Sequence, residues 1–376
     1  MKLLQISDLH LGKRLKEFSL FDDQKSILNQ ALQLMKSKEI DSLLLCGDIY
    51  DTTTPSSEAT SLFDDFLSQL DEIGKPVFII SGNHDSADKL HFGSSIFRRR
   101  GIHIVTRLED SLKPIVFNNV NFYLLPFIRP IDVNDFFDLK DNERKKTYQE
   151  AISYVIEKMN INTSETNIIL SHQMVIPSSG QLSLGGSEDI PENQGYAIGG
   201  VEAINASVFQ DFDFACLGHV HKPQNVSKNA RYAGSIYKYH RDEANYVKSF
   251  TIVDVSGKTV SYLEKPISFI HDVIKVKGSL DEILAMDLNK NSFIFCILTD
   301  SYIDDPMAKL RAKYPLIAGL EFEKSIKAEN SESEVINVQA YTKEELFDIF
   351  YQKQNGEQMT EFQKNLVHSL LHKEEK

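Results

Sequence analysis

The chain has 376 residues, 41% of them hydrophobic and 25% charged, and a formal net charge of −13. At about 150 residues per domain this length suits two domains and a tail, and the ordinary globular composition excludes a disordered or collagen-like chain. The acidic balance speaks against a large surface that wraps nucleic acid unaided, and no apolar run approaches the ~18 residues that span a bilayer.

In chain order, the apolar run 3–6 reads as a buried strand that ends in Asp8-Leu9-His10. Residues 21–38 put Ile27, Ala31, Leu34 and Met35 on one helical face. Run 43–46 reads as a second strand, closed by Gly47-Asp48-Ile49-Tyr50-Asp51. A helix is expected over 56–73, with Leu62, Phe66, Leu67 and Leu70 inward. A third strand at 77–80 is followed by Gly82-Asn83-His84-Asp85. This alternation of strand and helix is the mark of βαβ units.

Beyond residue 101 the strands come closer together, at 102–105, 115–117 and 122–125, with Asn118-Asn119 as a hairpin turn. A helix at 145–159 precedes the run 168–170, which ends in Ser171-His172. Residues 176–200, rich in Ser, Gly, Gln and Pro, read as a long surface loop, and long loops of this kind are usually functional or mobile. Run 214–217 leads into Gly218-His219-Val220-His221, and short strands near 230–236, 248–255 and 259–265 follow.

Pro266 marks an expected boundary. Residues 269–324 read as β, α, β, α, β, with Asp304 or Asp305 followed by Pro306 as a helix start. Residues 327–342 are polar and read as a linker, and 343–376 hold two amphipathic helices around Gln354-Asn355-Gly356. The first carries Leu346, Phe347, Ile349 and Phe350, the second Met359, Phe362, Leu366, Leu370 and Leu371. Two helices this short cannot bury that aromatic surface alone, so they must dock on this chain or on a partner. The expected organisation is therefore 1–266, 267–326, a linker at 327–342 and a helix pair at 343–376.

Cys46, Cys216 and Cys296 all sit in apolar runs and read as small core residues in a reduced compartment. The first residues run straight into a motif with no room for a signal-peptide core, so a cytoplasmic protein is expected. The basic groups Arg98-Arg99-Arg100 and Arg144-Lys145-Lys146 read as a helix terminus and a solvated face, whereas Lys13-Arg14 and Lys16 adjoin a motif.

Five polar segments thus follow five strands, and in α/β sheets ligands collect at the carboxyl ends of strands. Their Asp, Asn and His residues form a set that holds divalent metals. Asp8 and His10 can serve one ion. Asp48, whose carboxylate has two oxygens, is the bridging candidate, and Asn83 offers a neutral oxygen. His172, His219 and His221 complete two coordination spheres. Two cations sharing a hydroxide can clamp a phosphoryl group, so phosphoester hydrolysis is the favoured reaction. His84 stands beside a ligand without having to be one and suits either proton donation to the leaving oxygen or stabilisation of the pentacovalent transition state, and Asp85 is placed to orient His84 or His10. Each segment alone is common: a lone histidine on an apolar face is usually a hydrogen-bonded core residue. The specificity lies in all five, in this order, each behind a strand. His91, His103, His240, His271, His368 and His372 read as structural or surface residues.

The order Asp-x-His, Gly-Asp-x-x-Asp, Gly-Asn-His-Asp, His, Gly-His-x-His resembles the calcineurin-like metallophosphoesterase superfamily. Asp48 to Asp51 with Pro55, the run Gly218-His219-Val220-His221-Lys222-Pro223-Gln224, and Tyr232-Ala233-Gly234-Ser235 resemble its double-strand-break repair nuclease branch. The resemblance spans essentially the whole chain. It implies a β-sandwich flanked by helices in an α/β fold, a small DNA-facing α/β capping domain, and a C-terminal helix pair that grips the coiled-coil base of an ATPase. It implies two divalent ions, Mn2+ above others: one on Asp8, His10, Asp48 and His221, the other on Asp48, Asn83, His172 and His219. His84 would be the catalytic non-ligand. Asp51 stands where archaeal and eukaryotic relatives often carry His. The implied activity is 3'-5' exonuclease on duplex DNA ends and endonuclease on hairpins or single strands, in an ATP-dependent complex for DNA repair, recombination and replication. A homodimer within a heterotetramer, formed through 56–98, is implied too. The rivals are a stand-alone phosphodiesterase or phosphatase for small phosphoesters, which the extra domain and apolar tail speak against, and a non-catalytic scaffold, whose mark would be lost ligands.

Overall fold

The computed structural model describes residues 1–178, 197–198, 201–323, 342–356 and 358–371. Most of the expected loop at 176–200 and of the linker at 327–342 lies outside the described residues. Met1–Glu321 form one compact unit and Phe322–Lys376 another.

The first unit is built on two six-stranded sheets. Its elements begin with β1 (Lys2–Ile6), α1 (Phe21–Lys36), β2 (Ser42–Cys46), α2 (Ser57–Ile73), β3 (Val77–Ile80) and β4 (Ile102–Val105). Then come β5 (Ile115–Phe117), β6 (Val120–Leu125), α3 (Tyr148–Lys158), β7 (Thr166–Ser171) and β8 (Phe214–Leu217). The sandwich closes with β9 (Gln224–Ser227), β10 (Ala230–Tyr232), β11 (Ser249–Ser256) and β12 (Thr259–Pro266). The first sheet runs β12-β11-β1-β2-β3-β4, with β1 to β4 parallel and β11 and β12 returning antiparallel. The second runs β9-β10-β8-β7-β6-β5, with a parallel centre.

Alternation along the strands sorts the core into layers. Leu3, Leu44, Cys46, Phe78 and Ile80 of the first sheet meet Phe122, Leu124, Ile168, Leu170 and Cys216 of the second in one buried cluster. The opposite face of the first sheet (Leu4, Ile6, Leu43, Leu45, Ile79) packs on α1 and α2 through Ile27, Ala31, Met35, Phe66 and Leu70. The outer face of the second packs on α3 through Ile152 and Val155. The result is the expected helix-flanked β-sandwich.

Local chemistry fixes the ends of these elements. Ser56 caps α2 by accepting from Ala59 N–H at 3.2 Å, and Gly74 ends it in the left-handed region. Thr147 and Glu150 form a capping box on α3. Asn118 and Asn119 both take positive φ, 49° and 60°, as a tight two-residue hairpin requires. The three cysteines are free and buried.

The segment after Pro266 forms β13 (Val273–Gly278), α4 (Leu280–Ala285), β14 (Phe293–Leu298), α5 (Pro306–Lys313) and β15 (Ile317–Phe322), the α/β piece expected there. Alternate residues of β14 serve two cores. Ile294, Cys296 and Leu298 join Ile283, Leu310 and Tyr314 in a core of this segment's own, whereas Phe293 and Phe295 enter the cluster beneath α1. The boundary expected at 266 therefore lies inside the first compact unit.

In the second unit, α6 (Lys343–Asn355) starts with a Thr342–Glu345 capping box and stops at Gly356, where φ is 73°. It pairs with α7 (Glu361–Leu371) through Lys364–Asp348 (3.3 Å) and His368–Glu344 (3.1 Å). Phe350, Phe362 and Leu370 are exposed.

Candidate metal centre

The carboxyl ends of β1, β2 and β3 in one sheet, and of β7 and β8 in the other, open toward a common point. Asp8 N–H donates to Gly47 O (3.1 Å), His10 N–H to Asp48 O (3.0 Å) and Leu11 N–H to Ile49 O (2.9 Å), so the first two loops continue the β1–β2 pairing past the sheet. They do so in an uncomfortable conformation: Asp8, His10 and Asp48 have φ of 52°, 42° and 50°, and His219 has 97°. Left-handed non-glycine residues cost of order 1–3 kcal/mol each and cluster where function needs them. Gly47, at φ 91°, is required for conformation and for room alike, because a Cβ there would stand 2.3 Å from His172 Nδ1.

The seven residues proposed as ligands from sequence converge. Asp48 Oδ2 lies 3.3 Å from His172 Nε2 and 3.6 Å from His10 Nε2. His10 Nε2 is 3.1 Å from His221 Nε2. Asn83 Oδ1 stands 3.2 Å from His172 Nε2 and 2.9 Å from His219 Nδ1. Asp8 accepts from His219 N–H at 3.0 Å. Three clusters result among the described residues: Asp8 with His10 and His221, Asp48 with His10 and His84, and Asp8 and Asp48 with His172. Asp8, His10, Asp48 and His172 are buried.

These donors fit a pair of divalent cations. Two imidazole nitrogens facing each other at 3.1 Å share one proton between them, where a cation can take its place. His219 Nε2 is buried without a hydrogen-bond partner among the described residues. Oxygen and imidazole donors are the set that Mn, Fe and Zn accept.

Without cations, protons take up the imbalance. Burial opposes the charge of Asp48, but His172, His10 and His84 hold its carboxyl far below the usual range. Burial likewise opposes a charged His172, yet Asp48, in both charge and hydrogen bond, pushes the ring up to about 9. Burial, with His172 beside it, takes His219 down to about 3.

His84 stands beside Asp48 and His10. Its Nδ1–H donates to the Asp51 carbonyl (2.8 Å), its backbone N–H donates to Asp48 Oδ1 (2.9 Å), and its ring meets that of His10 edge-on at 4.8 Å. Asp85 does not orient a histidine, and that expectation is corrected. Its carboxylate accepts three backbone N–H groups instead, from Gly82 (2.8 Å), Tyr50 (3.0 Å) and Ile49 (3.1 Å). Burial and the charge of Asp48 push it up to about 6 even so. Asp85 ties the Asp48 turn to the Asn83 turn.

Residues 1–223 match the calcineurin-like phosphoesterase family. The chain is 30% identical to the SbcD subunit of the SbcCD nuclease of Staphylococcus epidermidis, over 99% of its length and 98% of that protein's. It is 30% identical to the same subunit of Staphylococcus saprophyticus, with 99% and 98% covered. The chain belongs to the calcineurin-like phosphoesterase family. Within it, the chain groups with the SbcD proteins, and it is a metal-dependent phosphodiester hydrolase. Among solved structures, TT1561 of Thermus thermophilus covers 70% of this chain and is covered over 98% of its own, at 11% identity and a TM-score of 0.40.

Three residues around the centre were not singled out from sequence. Glu243 Oε1 lies 3.1 Å from His221 Nδ1. Lys248 pairs with Glu243, and both side chains are fully buried. Gln24, on α1, donates from Nε2 to the carbonyls of Leu9 (3.1 Å) and His10 (2.7 Å) and so holds the first turn from behind. Glu243 lies in the polar run His240-Arg241-Asp242-Glu243 and Lys248 just before a strand, so neither stands out in the sequence. Asp51 was noted only for its identity. It stands 3.5 Å from His10 Nδ1 and 2.8 Å from Lys13. His240 sits on the cap of the 3-10 turn Arg241–Glu243, and His271 pairs with Asp23 at 2.9 Å.

Proposed function

We propose that this chain is the Mn2+-dependent DNA nuclease subunit of an ATP-driven SbcCD-type complex, cutting phosphodiester bonds with two metal ions. The observation that carries this reading is the meeting of seven oxygen and nitrogen donors from five strand ends, with Asp48 Oδ2 between His10 and His172. Asp8, His10, Asp48 and His221 would hold one ion, and Asp48, Asn83, His172 and His219 the other. Bound there, the ions supply a hydroxide nucleophile at neutral pH and neutralise the phosphoryl oxygens. His84 does the proton work. Its Nδ1–H is spent on the Asp51 carbonyl, so Nε2 is the ring atom left to exchange a proton with the reacting oxygens; it gives one to the leaving oxygen from the doubly protonated ring, which returns to the neutral Nδ1–H form. The strained turns keep the donors in place before substrate arrives, so no reorganisation is needed at the moment of reaction.

A nuclease also needs a path for the phosphate backbone. A cleft of about 530 Å³ opens beside Tyr239, whose ring packs 5.4 Å from that of His10. Lys13, Arg14, Lys16, Arg241 and Lys275 line it, between the 14–19 hairpin and the small sheet. This local basic surface supports DNA over a small phosphoester in spite of the acidic chain, and it suits a DNA-capping role for 267–326. The remaining duplex grip, the 3'-5' polarity on duplex ends, the endonuclease action on hairpins or single strands, and the place in DNA repair, recombination and replication belong to the complex with a coiled-coil SbcC-type ATPase in the cytoplasm. The exposed aromatic residues of 343–376 would dock on that partner. A homodimer through 56–98 is supported by Phe92 and Ile96, 86% and 67% exposed beside an apolar cavity of about 400 Å³.

The test is degradation of an end-labelled linear duplex with Mn2+ or Mg2+, with and without the ATPase partner, for the chain and its His84→Ala variant. Mn2+-dependent cleavage that falls by about 10²–10⁴ in the variant, with metal content unchanged, is the expected result. Brisk hydrolysis of bis-p-nitrophenyl phosphate with no DNA cleavage under any condition would replace this reading with the small-molecule phosphodiesterase.

A further inference from the structure

We infer that Glu243 and Lys248 form a buried positioning pair that presents His221 to its divalent cation through Nε2. The inference rests on the reading of His221 as a ligand. Both side chains are fully buried, and they hold His221 at two points. Glu243 Oε1 takes the Nδ1 side of the ring at 3.1 Å. Lys248 Nζ donates to the His221 carbonyl at 2.7 Å, to Ser235 Oγ at 2.7 Å, and to Glu243. All three ammonium protons are therefore spent. Ser235 N–H donates to the same His221 carbonyl at 3.1 Å, which fixes the backbone independently of the ion pair.

The consequence for the ring follows from its two nitrogens. A carboxylate at Nδ1 accepts a hydrogen bond from Nδ1–H, so Nδ1 carries hydrogen and Nε2 carries the lone pair. Nε2 is the atom that faces His10 Nε2, in the cluster with Asp8. A carboxylate behind an imidazole also makes the other nitrogen a better donor to a cation. His172 is set differently, by the neutral Cys46 carbonyl, to which its Nδ1–H donates at 2.7 Å. Glu243 thus adds negative charge behind one of the two ligand groups and not the other. Stability alone does not explain the pair, because a buried ion pair is often no better than apolar residues of the same volume.

The experiment is calorimetric titration of the metal-free full-length chain with Mn2+. The variants are His221→Ala, Glu243→Gln and the double variant Glu243→Gln/Lys248→Met, each with thermal denaturation of its metal-free form. The double variant matters because it removes both charges and leaves no unpaired ion if Glu243→Gln alone fails to fold. The expected result is loss of one of two binding events in His221→Ala. In the double variant, one event is weakened by about 10–100-fold and the other is unchanged. A double variant that binds both Mn2+ ions as the parent does, while His221→Ala loses one, overturns the inference and leaves the ligand reading standing. Two unchanged events in His221→Ala overturn both.

Discussion

Of the seven expected ligands, the loops leaving the first sheet bring Asp8, Asp48 and Asn83 with one ring, His10, while those leaving the second bring only rings, His172, His219 and His221. The backbones differ as much as the side chains. Three of the four residues from the first sheet are held at positive φ, but only His219 from the second. The first sheet supplies charge in strained turns tied together by main-chain bonds and Asp85. The second supplies imidazoles whose useful face is chosen by what stands behind Nδ1, Cys46 O for His172 and Glu243 for His221. Negative charge is indispensable for gathering cations, and a ring can be turned by one hydrogen bond. The two sheets divide these tasks.

Asp48→Asn breaks that division most completely. It removes a carboxylate whose Oδ2 lies 3.6 Å from His10 of the first sheet and 3.3 Å from His172 of the second. Loss of both metal ions at micromolar supply and a fall of about 10³-fold or more in phosphodiester hydrolysis are expected. Metal content after gel filtration, together with the initial rate, checks this. His172→Ala removes a donor on the second-sheet side only. One ion should remain, with activity still depressed by about 10²-fold. Equal metal loss in the two variants would mean that the sheets do not contribute separately.

Much of this was readable before any coordinates. Runs such as 43–46 and 77–80 are continuously apolar because both faces of those strands are buried, and the Gly, Asp, Asn and His that follow mark the strand ends. What hid were groups whose meaning depends on distant partners. Asp85 looked like a histidine's partner because it adjoins His84, but a carboxylate two bonds from a tight turn also finds backbone N–H groups, and it found three. Glu243 and Lys248 lie 22 and 27 residues from His221. The short strands Arg14–Leu15, Phe18–Ser19 and Gln224–Ser227 leave too little periodicity to read. Pro266 proved to be the last residue of a strand, and the small sheet packs on the main core through Phe293 and Phe295, which a sequence boundary cannot reveal.

Asp85→Asn sharpens the comparison from the first sheet's side. The amide keeps one acceptor oxygen and turns its NH2 on a backbone N–H, so at least one donor among Ile49, Tyr50 and Gly82 is left buried and unpaired. A loss of about 1–3 kcal/mol is expected in urea unfolding of the metal-free chain, with the slope unchanged. Mn2+ binding should weaken as the Asp48 and Asn83 turns separate. Unaltered stability would show that the strained turns need no brace.

The smallest effect is a pH dependence, and it tests the second sheet. In the metal-free chain His172 is raised to about 9, because Asp48 outweighs burial. An unfolded histidine titrates near 6.5. The folded state therefore binds the proton more tightly, so this contribution to stability is complete below pH 6.5 and fades as pH rises to about 9. Melting temperature of the metal-free chain should accordingly fall across that window, and His172→Asn should flatten the fall. Saturating Mn2+ should flatten it as well, since the neutral ring then faces a cation where a proton stood. A slope that survives both changes would place the titrating group elsewhere. It would also remove the electrostatic argument that Asp48 and His172, from opposite sheets, face one ion between them.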